Sequence, residues 1–161
     1  WNHHSNEEIK FFSGTAYYSK SFNMSQLSPN IFLDLGKVEV IAAVTLNGED
    51  LGICWKPPYR VDISEAIQEG RNQLQVEVVN LWPNRLTGDE RYPEFGVRSG
   101  TEENPGKNFV KFPKWLTSRN PIPPSSRRTF VTWKHWNENS FLLNSGLAGP
   151  VRIIKQSSKK P

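Results

Sequence analysis

Residues 38–63, VEVIAAVTLNGEDLGICWKPPYRVDI, decide the fold class of this 161-residue chain. At the centre of the stretch lies Asn47-Gly48, a dipeptide that accepts positive φ at both positions, as a two-residue type I′ turn requires. The run VIAAVTL before it is rich in β-branched residues. After it, Leu51 and Ile53 alternate with small or polar residues. A two-residue loop pairs Leu46 with Glu49, which predicts Val44 opposite Leu51 and Ala42 opposite Ile53, with one apolar face. Trp55 ends the hairpin and is expected in the core. Pro57-Pro58 cannot donate ladder hydrogen bonds. Tyr59, Val61 and Ile63 then alternate with Arg60 and Asp62 as a further half-buried strand.

Outward from the hairpin the same period recurs. Residues 9–22, IKFFSGTAYYSKSF, read as a strand with an irregularity at Gly14, and residues 30–35 as a short strand in which Ile31, Leu33 and Leu35 alternate. Ser64 reads as the N-cap of one helical turn, Glu65 to Glu69, closed by Gly70. Leu74, Val76 and Val78 alternate with Gln73, Gln75 and Glu77 in a strand over 73–79. Residues 128–136, RTFVTWKHW, return to strand character, and residues 150–155, PVRIIK, form the last strand. Short strands at close spacing predict an all-β fold, an antiparallel β-sandwich of jelly-roll type. About eight or nine strands and less than roughly 10% helix are expected. Core candidates are Phe12, Tyr18, Leu33, Val44, Leu46, Leu51, Val61, Leu74, Val76, Val78, Val151 and Ile153.

Between Leu81 and Arg127 neither period persists, and the segment holds seven of the twelve prolines. Connections beyond about 12–15 residues without structure are functional loops or linkers as a rule. Trp82, Tyr92, Phe95, Phe109, Phe112 and Trp115 lie in this one, and so many aromatics argue for an ordered excursion. The expected organisation is a single sandwich domain over 1–156, with a loop insertion at about 81–127 and a tail at 157–161.

The charge is mildly basic, +4 with a pI of about 9.3. Lys and Arg are scattered rather than clustered on one face, so no nucleic-acid partner is expected. No apolar run reaches the roughly 18 residues of a membrane helix, so no membrane partner is expected either. The single Cys54 excludes an intramolecular disulfide framework and a Cys-based zinc site, and it reads as a small apolar residue of the hairpin. No signal peptide is visible, and the start at Trp1 reads as that of an excised or mature piece.

Glycosidic hydrolysis takes two carboxyl groups roughly 5–10 Å apart. Asp89, Glu90, Glu94, Glu102, Glu103 and Glu138 fall in expected loops, and nothing in the sequence pairs them. Each reads as a solvated carboxylate. His3, His4 and His135 are the three histidines, and without a Gly-x-Ser-x-Gly elbow they suggest no nucleophilic triad. No His/Cys cluster offers a metal site. The expectation is therefore no catalytic residue, no metal ligand set and no cofactor.

Sugar binding fits the residues better. A pyranose has an apolar C–H face that an aromatic ring covers, and a rim of hydroxyls that Asn, Asp, Glu, Arg or Lys pair with. Two clusters hold both ingredients: Trp82, Asn84 and Arg85 followed by Asp89 and Glu90, and Trp133-Lys134-His135-Trp136-Asn137. In a strand, Trp133 and His135 share one face and Lys134 and Trp136 the other, so one tryptophan at most is a platform. Trp136, nearer the loop, is the expected one. The alternative for both clusters is core and interface packing.

Several segments together resemble the sugar-binding jelly-roll domain of glycoside hydrolase family 2. They are SGTAYYSKSF (13–22), VTLNGEDLG (44–52), PPYRVDIS (57–64), GRNQLQVEVVN (70–80) and SGLAGPVRI (145–153), in the family's order. The variants WKPPYRVDI, NLWPNRLTGDE and TWKHW are more similar to the C-terminal ancillary domain of bacterial α-L-rhamnosidase-like enzymes of glycoside hydrolase family 106. The resemblance implies a galactose-binding-domain-like sandwich from a secreted or periplasmic polysaccharide-degrading enzyme. The hydrolytic site of such enzymes lies on a separate (β/α)₈ barrel, a fold of about 250 residues.

The resemblance thus implies a non-catalytic carbohydrate-binding or carbohydrate-associated module. Its partners would be a poly- or oligosaccharide and the catalytic domain of the parent chain. The alternative is a purely structural brace for that barrel. A structural Ca²⁺ is compatible with either, since related jelly rolls often hold one in loop oxygens. The strands ending at Asn80 and near Trp136 release their loops at one end of the sandwich. The expected ligand site therefore combines Trp82, Asn84, Arg85, Asp89 and Glu90 with His135 and Trp136.

Overall fold

The computed structural model describes residues 1–101, 105–118 and 120–156, so Glu102, Glu103 and the expected tail lie outside the described residues. In chain order the elements are α1 (Glu7–Lys10), β1 (Thr15–Met24), β2 (Ile31–Asp34), β3 (Lys37–Glu39), β4 (Ile41–Leu46), β5 (Glu49–Cys54), β6 (Arg60–Asp62) and β7 (Gly70–Val79). There follow α2 (Pro83–Asp89), β8 (Val97–Gly100), β9 (Pro105–Lys111), α3 (Lys114–Ser118), β10 (Gly146–Gly149) and β11 (Arg152–Lys155). The fold is an antiparallel β-sandwich with about 40% strand and 11% helix. Among the described residues there are eleven strands, more than the expected eight or nine. Closely spaced strands such as β3 and β4 are separate pieces that pair with different partners.

The chain forms two compact units. The first comprises Trp1, residues 13–81 and the chain from Asn144, and the second residues 2–12 and 82–143. In the first unit a four-stranded sheet has the order β1-β7-β4-β5, beside a three-stranded sheet β11-β2-β6 and the pair β10-β3. Leu74, Val76 and Val78 of β7 lie opposite Leu46, Val44 and Ala42 of β4. All six are buried and pack with Ile31, Leu33, Leu35, Val38, Ile63 and Ile67 from the other strands and the loops. This is the alternation that the sequence shows, now with its apolar face between sheets. Tyr18, Leu51, Val61 and Ile153 are half-buried against that core. Val151 is exposed, a departure from the expected core.

The Asn47-Gly48 turn has φ of 54° and 87°, the two positive values a type I′ turn takes. Leu46 pairs with Glu49 as expected, but the register then shifts between Ala43 and Thr45, so Ala43 opposes Ile53 and Ala42 opposes Cys54. Gly52, at φ 89°, is the residue that permits this β-bulge. Because side chains alternate with period two, the slip turns Ile53 outward, 65% exposed, and Cys54 inward. Trp55 follows the edge strand and is 64% exposed, with Lys56 Nζ 5.1 Å from its ring centroid, so it is not a core residue. Ser64 Oγ accepts from Ile31 N at 2.9 Å, joining the turn to β2 rather than capping the turn itself.

In the second unit the expected strand from Ile9 begins instead as α1. Asn6 Oδ1 accepts from Glu8 N at 2.8 Å, a side-chain N-cap, and Glu7 and Glu8 fill the first turn. Phe11, not Phe12, is the buried aromatic there. The described residues of the proline-rich stretch are built around rings: Trp115 meets Phe95 at 5.5 Å and Phe130 at 5.2 Å, both edge-on, and Phe109 stacks on Phe130 at 5.5 Å. Residues 128–136 are not a strand. Trp133 makes one isolated bridge to Asn108. The N–H groups of Arg128 and Thr129 donate to the Asp89 carboxylate, so they cannot enter a ladder.

Candidate functional site

Five candidate residues lie in or beside α2: Trp82 and Glu90 flank it, Asn84 and Arg85 lie within it, and Asp89 closes it. Pro83 occupies the first turn, where a missing N–H breaks no helical bond. Gly88 then lies against Phe11: a Cβ there would sit 2.6 Å from Phe11 Cγ. The helix is therefore pinned to the α1 segment through a contact that only glycine permits.

The charged and amide side chains of α2 are engaged by their own chain. Asp89 is 0% exposed, and its Oδ2 accepts from Arg128 N at 2.9 Å, Thr129 N at 2.7 Å and Thr129 Oγ1 at 2.7 Å. Arg85 Nη2 lies 2.6 Å from Asp89 Oδ1. Buried Asn84 donates from Nδ2 to Leu143 O at 2.7 Å and accepts at Oδ1 from Leu143 N at 2.8 Å.

Glu90 is buried between Lys134 Nζ at 2.5 Å and Arg127 Nη1 at 3.2 Å. Arg127 also donates to the carbonyls of Pro93 and Tyr92. Beyond it, Glu94 Oε1 accepts from Arg98 Nε at 2.8 Å, and Arg98 Nη1 donates to Lys107 O at 2.7 Å. Buried charges persist only when paired and hydrogen-bonded in this way. The network ties α2, the antiparallel pair β8 and β9, and the 127–134 segment together.

The sequence-predicted residues thus separate by role. Asn84, Asp89 and Glu90 are directed inward. Trp82 is 63% exposed and His135 is exposed, while Trp136 is half-buried with its ring 4.6 Å from that of His135. The two stretches are joined through the Glu90–Lys134 pair. Trp133 is 54% exposed, with Lys107 Nζ 5.8 Å from its centroid.

Arg85 instead lines a polar cleft of about 350 Å³ with Glu7, Glu8, Arg91, Tyr92 and Arg128. Of these only Arg85 was foreseeable as a site residue. Arg91-Tyr92 directly follow Glu90 in sequence, but nothing local relates them to Glu7 and Glu8, some eighty positions earlier. Among the described residues no group of three or more His, Cys, Asp or Glu side chains is placed to hold a metal ion.

A profile of the glycosyl hydrolase 2 galactose-binding domain-like family matches residues 3–115. A Formosa agariphila protein provisionally named a beta-glucuronidase is 48% identical over 158 residues, covering 95% of this chain and 13% of that protein. The solved rhamnosidase from Novosphingobium sp. PP1Y shares the fold with a TM-score of 0.70 and 30% identity, over 94% of this chain and 12% of its own. A Ruminococcus gnavus beta-glucuronidase aligns with a TM-score of 0.45 and 21% identity, over 49% of this chain and 14% of its own. The chain therefore spans roughly an eighth of the length of the first two. With the profile covering most of the chain, it belongs to the glycosyl hydrolase 2 galactose-binding domain-like family.

Proposed function

We propose that this chain is a non-catalytic, carbohydrate-associated module of a larger, secreted or periplasmic glycoside hydrolase of rhamnosidase-like type, and that it binds poly- or oligosaccharide. The catalytic domain of the parent chain is its other partner. The observation that carries the reading is the division of labour in the second unit. The carboxylates of Asp89 and Glu90 are committed to internal cations, whereas the Trp82 and Trp133 indoles face solvent. Exposed indoles beside polar groups suit the C–H faces of sugars. The likeness to the Novosphingobium rhamnosidase supports the parent type.

Affinity electrophoresis through gels containing rhamnose-, galactose- or uronate-bearing polysaccharides tests the reading. Retardation of the wild type is expected, with weaker retardation of Trp82→Ala or Trp133→Ala. No retardation on any of them would remove glycan binding and leave the second reading, a structural brace. That reading is favoured by the exposed Val110, Ile122 and Phe141 of the second unit, which a docked catalytic domain would cover.

A further inference from the structure

We infer that the cleft between α1 and α2 is a saccharide site that reads the hydroxyls of an uncharged sugar, an inference that rests on the carbohydrate-associated reading above. Its volume of about 350 Å³ falls in the range of small-molecule sites, roughly 300–1,000 Å³. Three guanidinium groups line it, and each already has a carboxylate. Arg85 is held by buried Asp89 at 2.6 Å, Arg128 faces Glu8 at 3.6 Å, and Arg91 is paired with Glu7.

This charge balance selects the ligand class. A carboxylate or sulfate ester would have to displace Glu7 or Glu8 from its arginine. A neutral diol displaces nothing: one hydroxyl donates to a carboxylate while its neighbour accepts from the adjoining guanidinium, and both bonds are charge-assisted. Tyr92, exposed at the cleft wall, offers an aromatic face to the sugar's C–H groups. One side of the wall is packed. The Arg91 guanidinium lies 4.1 Å from the centroid of the Phe11 ring, which Gly88 holds in place. Asp89 acts through Arg85 as a positioning residue. Arg85 and Arg91, held in this way, lose less entropy on binding than free side chains would.

The test is a ¹H–¹⁵N titration of the whole chain with millimolar methyl α-L-rhamnoside, methyl β-D-galactoside and D-glucuronate, at low and high salt. A neutral glycoside should shift the amides of Arg91, Tyr92, Ser126 and Arg128, with little change between salt concentrations. Tyr92→Ala and Arg128→Ala should each weaken binding about tenfold, while Trp55→Ala, an exposed indole of the first unit, leaves these shifts unchanged. Arg128 is well exposed, so its loss spares the fold.

Glucuronate binding more tightly than the neutral glycosides, and falling steeply with salt, would overturn the ligand class. Shifts confined to residues outside the cleft would overturn the site, as would unchanged affinity in both cleft variants. If polysaccharide retards the wild type and both cleft variants alike, the module reading stands and the cleft assignment falls. If neither polysaccharide nor glycoside binds the wild type, both fall.

Discussion

Replacing Asp89 by alanine separates a structural carboxylate from a ligand-binding one. Its Oδ2 accepts three hydrogen bonds, two of them from backbone N–H groups, and its Oδ1 faces the Arg85 guanidinium at 2.6 Å. Alanine leaves all four donors facing a void. Individual bonds to a charged group are worth about 1.5–3 kcal/mol net and do not simply add. Removing one partner of a buried ion pair costs about 3–5 kcal/mol, because the other charge stays buried and uncompensated.

That loss is about a fifth or more of the roughly 5–15 kcal/mol that holds an ordinary domain together. With an m-value of about 2 kcal/mol/M, the urea midpoint should fall by roughly 1.5–2.5 M. Near-UV circular dichroism reports on the Phe95, Trp115 and Phe130 rings of the same unit, and it should follow the loss. Asp89→Asn keeps one oxygen for the Thr129 donors but turns an amide toward Arg85, so it should fall between alanine and wild type. Midpoints within about 0.5 M of wild type for both variants, with glycan affinity lost, would refute the reasoning and return Asp89 to the ligand site.

Gly88→Ala should lower stability by about 1–2 kcal/mol in a urea melt, since overpacking against Phe11 at 2.6 Å outweighs the gain of roughly 1 kcal/mol in helix propensity. Asn47→Ala should cost about 2–4 kcal/mol, more than Gly48→Ala at about 1 kcal/mol. Asn47 bonds Ala66 O, Asn72 Oδ1 and Gln73 N, whereas a Cβ on Gly48 meets nothing within 4 Å. Equal losses at the two positions would argue against the side-chain bonds. The Arg60 side chain and then Gly36 N hold the Asp34 carboxyl below its ordinary value of 3.8. Its contribution is fully present above that pH and is lost as pH falls through the lower folded value. Arg60→Leu should flatten this acid limb in chemical melts taken below pH 4, by a small amount because the pair is largely solvated.

The strands of the first unit could be read locally because each writes its burial in alternate residues. Leu74, Val76 and Val78 need only a sheet on one side to explain them. The Asn47-Gly48 turn is equally local, since its positive φ values are a property of the dipeptide. The bulge at Gly52 escaped because a one-residue slip leaves the hydrophobic composition unchanged and alters only which face Ile53 takes. In the second unit the period fails because rings and ion pairs, not an alternating face, hold it together. Residues 128–136 look like a strand, yet the amides of Arg128 and Thr129 answer to a carboxylate some forty positions away.

The same holds for the site. Composition alone placed aromatic and charged groups at 82–90 and 133–137. Whether Asp89 and Glu90 faced solvent or internal cations was settled only by the fold. A charge's role depends on what lies within a few ångströms of it, and Arg128, Lys134 and Glu7 come that close only when the chain closes on itself. The sequence by itself determined the sandwich and its central hairpin, because period and turn chemistry act between neighbours. Tertiary structure decided which polar groups remain for a ligand, because burial and pairing act between residues that the sequence keeps apart.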